Sequence, residues 1–119
     1  MTEGLDFSKY GKAFQESLAQ LIFEDRPFCD QIEEVLDVNF FELKYLRAFI
    51  ERVFDYREQY SVHPSINVFT SILRTELEHY SPALQKQVRD YYVRCEARDV
   101  QDKEYIKDTS LDFCKKQKL

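Results

Sequence analysis

Residues 43–73 read LKYLRAFIERVFDYREQY, then SVHPS, then INVFTSIL, and the fold prediction starts from this stretch. Its first segment repeats large apolar side chains three and four residues apart, which is the spacing of one helical face: Leu46, Phe49, Ile50, Val53 and Phe54. Pro64 cannot continue a helix, and Ser65 can cap a new one. The pattern therefore predicts a long amphipathic helix that ends before a short connection, Ser61 to Ser65.

A second apolar stripe follows this connection, at Ile66, Phe69, Ile72 and Leu73. Its spacing is again helical. Because a short connection leaves the second helix little choice but to fold back, we expect the two helices to pack as an antiparallel pair.

The composition favours a single helical domain. The chain has 119 residues, of which 44% are hydrophobic and 33% charged, with 2 Gly and 3 Pro. That length can bury a core, and so little Gly and Pro disfavours a fold of many strands. No apolar run approaches the roughly 20 residues of a membrane span, and the start, MTEGLDFSKY, lacks the layout of a signal peptide. We therefore expect an all-α protein that is soluble, cytoplasmic and free of membrane contact.

Two further helices are predicted before the long one. The first covers about residues 8–24. The second begins after Asp25 and Pro27, because Asp is a good helix cap and Pro is tolerated in a first turn. Residues 37–41 are predicted to form a brief irregular link, with Phe40 and Phe41 packed under the long helix.

The last two helices complete a count of about six. One begins at Ser81 and Pro82, and the other after Asp102. We expect residues 1–80 to form a globular head and residues 81–119 to form an antiparallel helical hairpin. Apolar positions in this hairpin recur about twice in seven residues, as in a coiled-coil seam. Since apolar burial contributes only about 25 cal/mol per Å² and ordering costs about 1–2 kcal/mol per residue, the hairpin is predicted to pack on a second copy of itself.

The charge distribution argues against direct DNA binding. The net charge is −5, and no segment concentrates Lys and Arg into the basic footprint that phosphate binding requires. The basic cluster at the end, formed by Lys115, Lys116 and Lys118, is predicted to be a solvated helix end that the helix dipole favours. We expect no tight nucleic-acid binding by this chain.

Candidate catalytic residues and cofactor sites are not found in the sequence. Gly4 and Gly11 are the only glycines, so a glycine-rich phosphate loop cannot form. Cys29, Cys95 and Cys114 are odd in number and far apart, which predicts reduced, partly buried thiols rather than a zinc site or disulfides. The chain is therefore predicted to contain no catalytic residue, no bound cofactor and no metal.

One pair of polar residues has the spacing of metal ligands. Glu76 and His79 form a Glu-x-x-His pair, the spacing that di-iron bundles use on a helix, although the only other histidine, His63, has Tyr60 three residues before it. A di-iron helical-bundle enzyme is thus kept as an alternative.

A second group of polar residues, all acidic, has no electropositive partner nearby and is predicted to be a solvated helix face: Asp30, Glu33, Glu34 and Asp37.

The hydrophobic pattern resembles a known family. Residues 18–73 contain LAQLIFED, the acidic-Val-x-Phe-Phe of Asp37 to Phe41, an amphipathic helix, and YSVHPSINVFTSIL. This run resembles the N-terminal domain of DnaB-type replicative helicases, especially the bacteriophage branch. The later segment DKEYIKDTSLDFCKKQKL resembles the second hairpin helix of that domain.

The resemblance implies a role in assembly. In such helicases this domain has a globular head and a helical hairpin, makes no contact with ATP, and forms the collar of a hexameric ring. Hairpins pair between neighbouring subunits, and the collar receives the primase and, in phage systems, a helicase loader. Carried over by position, the pairing face would comprise Leu84, Val88, Tyr91, Tyr92, Cys95, Tyr105, Ile106, Thr109 and Phe113.

The sequence departs from this family in one large respect. The ATPase motor, which would bind ATP and Mg²⁺, is absent, and the end at CKKQKL inside a predicted helix favours a piece cut from a longer protein. We therefore expect a non-catalytic N-terminal domain of a DNA replication helicase that mediates dimerisation, ring assembly and docking of primase or loader. The first alternative is a free-standing phage adaptor or loader that binds a helicase.

Overall fold

The computed structural model describes residues 6–117, and within them the chain forms six α-helices, two short 3-10 helices and no β-strand. This confirms the prediction of an all-α fold. The 3-10 helices are Phe7–Tyr10 and Val38–Phe40. The α-helices are α1 (Gly11–Glu24), α2 (Arg26–Ile32), α3 (Lys44–Tyr60), α4 (Ile66–Thr75), α5 (Pro82–Glu96) and α6 (Lys103–Gln117). No helix within the described range combines the length and apolarity of a membrane span.

Three predicted caps form in the structure. Each of these side chains accepts a hydrogen bond from the backbone N–H three residues ahead: Asp25 before α2, Ser65 before α4 and Ser81 before α5, at 3.1, 3.2 and 3.2 Å. Ser61 ends α3 in the left-handed conformation, with a φ of 61°. Asp102 precedes α6, with a φ of 54°. Helix boundaries therefore follow from local residue chemistry.

Helix α1 lies at the centre of the molecule. It packs against α2, α3 and α6, and α5 packs against α3. The core between them is largely aromatic, and its biggest fully buried side chains include Phe7, Phe28, Phe41, Phe49, Phe69 and Tyr91. This core is continuous across residues 80 and 81, because side chains of α5 and α6 belong to it.

The short connection had predicted that α3 and α4 pack as an antiparallel pair, but α3 does not pack closely along α4. Its near neighbours are α1 and α5, whereas α4 meets it through Phe49 and Phe69, whose ring centroids lie 5.1 Å apart. The reason is that α5 occupies the adjoining space: Tyr91 and Tyr92 bring their rings within 5.0 and 6.3 Å of the Phe49 ring. A groove is left open between α3 and α4.

The predicted pairing hairpin is contradicted by the packing of α5 and α6. These two helices lie on the rest of the domain, α5 on α3 and α6 on α1 and α2, rather than along each other. Six of the nine predicted pairing residues are no more than 6% exposed in the monomer: Val88, Tyr91, Tyr92, Cys95, Ile106 and Phe113. Leu84 and Thr109 are half-buried, and Tyr105 is exposed. Most of the predicted pairing face is thus core.

The hydroxyl groups of the two tyrosines explain this correction. Tyr91 donates its hydroxyl hydrogen to the backbone oxygen of Glu16, and the Tyr92 hydroxyl lies 3.2 Å from that of Thr70 and 3.3 Å from the oxygen of Ile66. Because both polar tips find partners inside one molecule, the rings can be buried without leaving a hydroxyl unsatisfied. The sequence analysis had instead assigned both tyrosines to the pairing face between two copies.

Candidate functional site

The Glu76–His79 pair does not have the geometry of a di-iron ligand pair. Helix α4 ends at Thr75, so Glu76 is its C-terminal cap, and His79 lies in the following turn with its ring against Tyr80, at a centroid distance of 4.0 Å. The two side chains therefore do not project from successive turns of one helix, as the hypothesis required. Among residues 6–117, no group of three or more His, Cys, Asp and Glu side chains is placed to hold a metal ion.

The three cysteines are free, and all three are buried, whereas the sequence predicted only partial burial. Burial raises the pKa of the Cys29 and Cys114 thiols to about 12 and that of Cys95 to about 11. Because the thiolate is the reactive form, these side chains remain protonated at neutral pH and act as small apolar groups.

A buried carboxylate connects three helices. Glu16 of α1 is 5% exposed, and its Oε2 accepts hydrogen bonds from the hydroxyl of Tyr45 on α3 and from Nη2 of Arg94 on α5, the latter at 2.6 Å. Burial, followed by the hydrogen bond to Glu16, raises the pKa of Tyr45 well above its usual range. The carboxylate is therefore compensated by partners on both sides, and its role is to fix α3 and α5 to α1.

Gln20 of α1 holds the end of α5. Its Nε2 donates to the backbone oxygens of Cys95 and Arg98 at 3.1 and 2.9 Å, and its Oε1 accepts a hydrogen bond from Arg98 Nε at 3.1 Å. The last carbonyls of a helix have no partner within the helix, so a buried amide is an effective substitute. Sequence reasoning missed Glu16 and Gln20, although polar side chains beside the apolar stripe of α1 were the available signal.

Arg57 pairs with two acidic residues that the sequence analysis had interpreted as part of a solvated helix face. It forms ion pairs with Asp30 and with Glu33, the latter at 3.0 Å, and its Nη1 lies 2.9 Å from His63 Nδ1. The other ring nitrogen of His63 lies 2.6 Å from the backbone oxygen of Phe23. The prediction that the acidic face has no cationic partner was wrong for these two residues, because Arg57 is supplied by α3, far along the chain.

The exposed apolar side chains fall into two groups. Within the described residues, five large apolar side chains are between 51 and 63% exposed: Tyr60, Val62, Ile66, Val93 and Tyr105. The first three surround the connection between α3 and α4, and the other two flank the connection between α5 and α6. Comparisons with protein families, curated proteins and solved structures find no match. The two exposed apolar surfaces are the candidate functional sites.

Proposed function

We propose that this chain is a non-catalytic assembly and docking module of a hexameric replicative DNA helicase, of the kind formed by the N-terminal domain of DnaB-type helicases. The observation that carries the proposal is the place in the fold of the residues that define the resemblance. Phe41 is fully buried just before α3, Pro64 is buried between α3 and α4, and Ser65 caps α4. The motif residues thus occupy the core and the helix junctions of a six-helix domain.

The contacts that the buried and half-buried polar side chains make between helices support a binding role. Glu16, Gln20 and Arg57 are engaged in contacts between helices, which makes them part of the scaffold. What the surface offers instead is exposed apolar area at the two helix connections. Large exposed apolar side chains are typical of sites at which proteins meet other proteins.

We assign self-association to the outer sides of α5 and α6. Val93 and Tyr105 are each 62% exposed, and each lies within four residues of the connection at 97–102. They replace the buried tyrosines of the predicted hairpin as candidates for contact with a second copy. In the ring, such pairs would hold subunits in register, while ATP, Mg²⁺ and DNA would be bound by the motor and the primase or loader would dock on the module.

The experiment that tests this function is to read the encoding gene beyond the codon for Leu119. The proposal expects the same reading frame to continue into a G-x-x-x-x-G-K-[ST] phosphate loop. A stop codon, combined with tight binding to a helicase supplied in trans, would support the adaptor alternative instead. A stop codon with no such binding would contradict both.

A further inference from the structure

The opening between α3 and α4, which we call the α3–α4 groove, has a volume of about 610 Å³. Its apolar surface includes Tyr56, Tyr60 and Val68, and its carboxylates are Asp55, Glu58 and Glu76. The rings of Tyr56 and Tyr60 lie against each other, with centroids 4.7 Å apart, and Tyr60 is more than half exposed. We propose that this groove receives an amphipathic helix of a partner protein that carries Lys or Arg beside its apolar face.

The electrostatics of the groove favour a cationic occupant. Arg52 is the basic side chain that lines it, and its guanidinium is paired with Asp55 at 2.5 Å. Among residues 6–117, neither Glu58 nor Glu76 forms an ion pair. Within the described residues, the groove therefore presents two unpaired carboxylates beside the exposed ring of Tyr60 and the half-buried ring of Tyr56.

The positions of these two carboxylates strengthen the argument. Glu58 lies in the last turn of α3, and Glu76 caps the end of α4. The C-terminal end of a helix carries partial negative charge, so a carboxylate there is disfavoured in the isolated domain. An arrangement that costs stability in the free protein, at both helix ends that reach one groove, fits a site whose cation is supplied by a partner.

The chemistry distinguishes an amphipathic basic helix from other occupants. Helical ligands insert apolar side chains into grooves between helices, and Lys or Arg can pair with carboxylates and lie over tyrosine rings. Nucleic acid is disfavoured because its phosphates would face Glu58 and Glu76. A second copy, with its net charge of −5, complements the carboxylates of this groove less well than a basic helix does.

This inference deepens the docking half of the proposed function and rests on it for the identity of the partner. Binding to the groove can nevertheless be measured on this chain alone. The outcome is therefore independent of the gene test and of the assembly contact at Val93 and Tyr105, so that failure of one proposal can be told from failure of the other.

The test uses two synthetic helical peptides with the same Leu positions, one with Lys and one with Glu at the flanking positions. Binding to the chain is measured by calorimetry and mapped by amide chemical shifts. We expect the Lys peptide to bind and to shift the amides of Tyr60, Val68 and Glu76, and the Glu peptide not to bind. No binding of the Lys peptide, or shifts confined to other surfaces, would overturn the proposal.

Charge reversal supplies a matched pair of variants. Glu58→Lys with Glu76→Lys removes the groove carboxylates, and Glu34→Lys with Asp108→Lys makes the same change in net charge at exposed sites outside the groove. We expect the groove variant to weaken binding at least about tenfold and the control by less than about threefold. Equal weakening would show non-specific attraction to an acidic protein and would overturn the groove.

A second matched pair tests the tyrosine surface. Tyr60→Ala removes an exposed ring from the groove, whereas Tyr60→Phe keeps the ring and removes only its hydroxyl group. We expect only Tyr60→Ala to weaken binding of the Lys peptide, by about fivefold or more. Equal effects of the two variants would overturn the proposal, as would a wild-type dimer that Tyr60→Ala alone dissociates, because the occupant would then be a second copy.

Discussion

Arg57 donates a hydrogen bond from Nη1 to Nδ1 of His63 over 2.9 Å. Because a guanidinium has no acceptor, Nδ1 must be the unprotonated ring nitrogen, and the ring hydrogen lies on Nε2, which donates to the backbone oxygen of Phe23. Burial, helped by the charge of Arg57, lowers the pKa of His63 below its ordinary value. The imidazole is thus held neutral between α1 and α3, beside the ion pairs of Arg57 with Asp30 and Glu33.

This contact predicts a pH-dependent stability. As the pH falls below about 6.5, the unfolded chain takes up a proton on His63 before the folded protein does, because its pKa is lower in the folded state. The free energy of unfolding should therefore be highest above that pH, and should decrease as the pH falls toward the folded pKa. Urea unfolding at a series of pH values between about 7.5 and 5 measures how the free energy of unfolding changes with pH.

The two histidines provide the control for this prediction. His63→Gln should reduce the slope of unfolding free energy against pH in this range, whereas His79→Gln, which changes an exposed side chain, should preserve it. A slope unchanged by His63→Gln would show that the Arg57–His63 contact does not control the pH response.

Gln20→Leu should destabilise the domain by about 2–4 kcal/mol, because it leaves the carbonyls of Cys95 and Arg98 without their side-chain donor. Chemical denaturation measures the difference. Gln31→Leu makes the same chemical change on an exposed side chain and should cost less than about 0.5 kcal/mol. Similar losses in the two variants would argue against the role of Gln20 in holding the end of α5.

Tyr92→Glu should unfold the domain rather than separate a dimer. The side chain is 6% exposed and packs against Phe23, Phe49 and Phe69, so a carboxylate there should cost about 3–5 kcal/mol. Circular dichroism during thermal unfolding measures the loss. Tyr105→Glu, on the surface, should melt close to the wild type. A Tyr92→Glu protein with wild-type stability would restore the pairing face first expected there.

The three thiols should be unreactive in the folded protein. Since all are buried and their pKa values are raised, a chromogenic disulfide reagent should label them only as fast as the domain opens. In denaturant all three should react at once. A thiol that reacts in the native protein at the rate of free cysteine would show that the helix carrying it, α2 for Cys29, α5 for Cys95 or α6 for Cys114, is displaced from the core in solution.

The helices could be predicted from sequence because their determinants are local. Asp25, Ser65 and Ser81 each mark a helix start through a hydrogen bond to a residue three positions ahead, so the signal and its partner lie in one short segment. The apolar stripe of α3 likewise fixed which of its faces is buried. The stripe did not determine which helix packs against this face, because an apolar face that can pack on α4 can pack on α5 equally well.

The candidate sites depended on contacts that no local pattern contains. Asp30 and Glu33 acquire Arg57 from 27 and 24 residues away, and Gln20 reaches carbonyls that lie 75 and 78 residues further along. Tyrosine adds a second difficulty, because its apolar ring and polar tip suit a core as well as an interface. Only the fold shows that Tyr91 and Tyr92 find hydroxyl partners within the monomer.

The most direct measurement of the assembly role is the mass of the purified chain by light scattering over a range of about 1–200 μM, where weak dimers form. The chain has a mass of 14.4 kDa. We predict that the wild type approaches twice that mass as the concentration rises, while a folded Val93→Glu, Tyr105→Glu double variant remains at 14.4 kDa. A wild-type chain that stays monomeric throughout, or a double variant that dimerises equally well, would contradict the account.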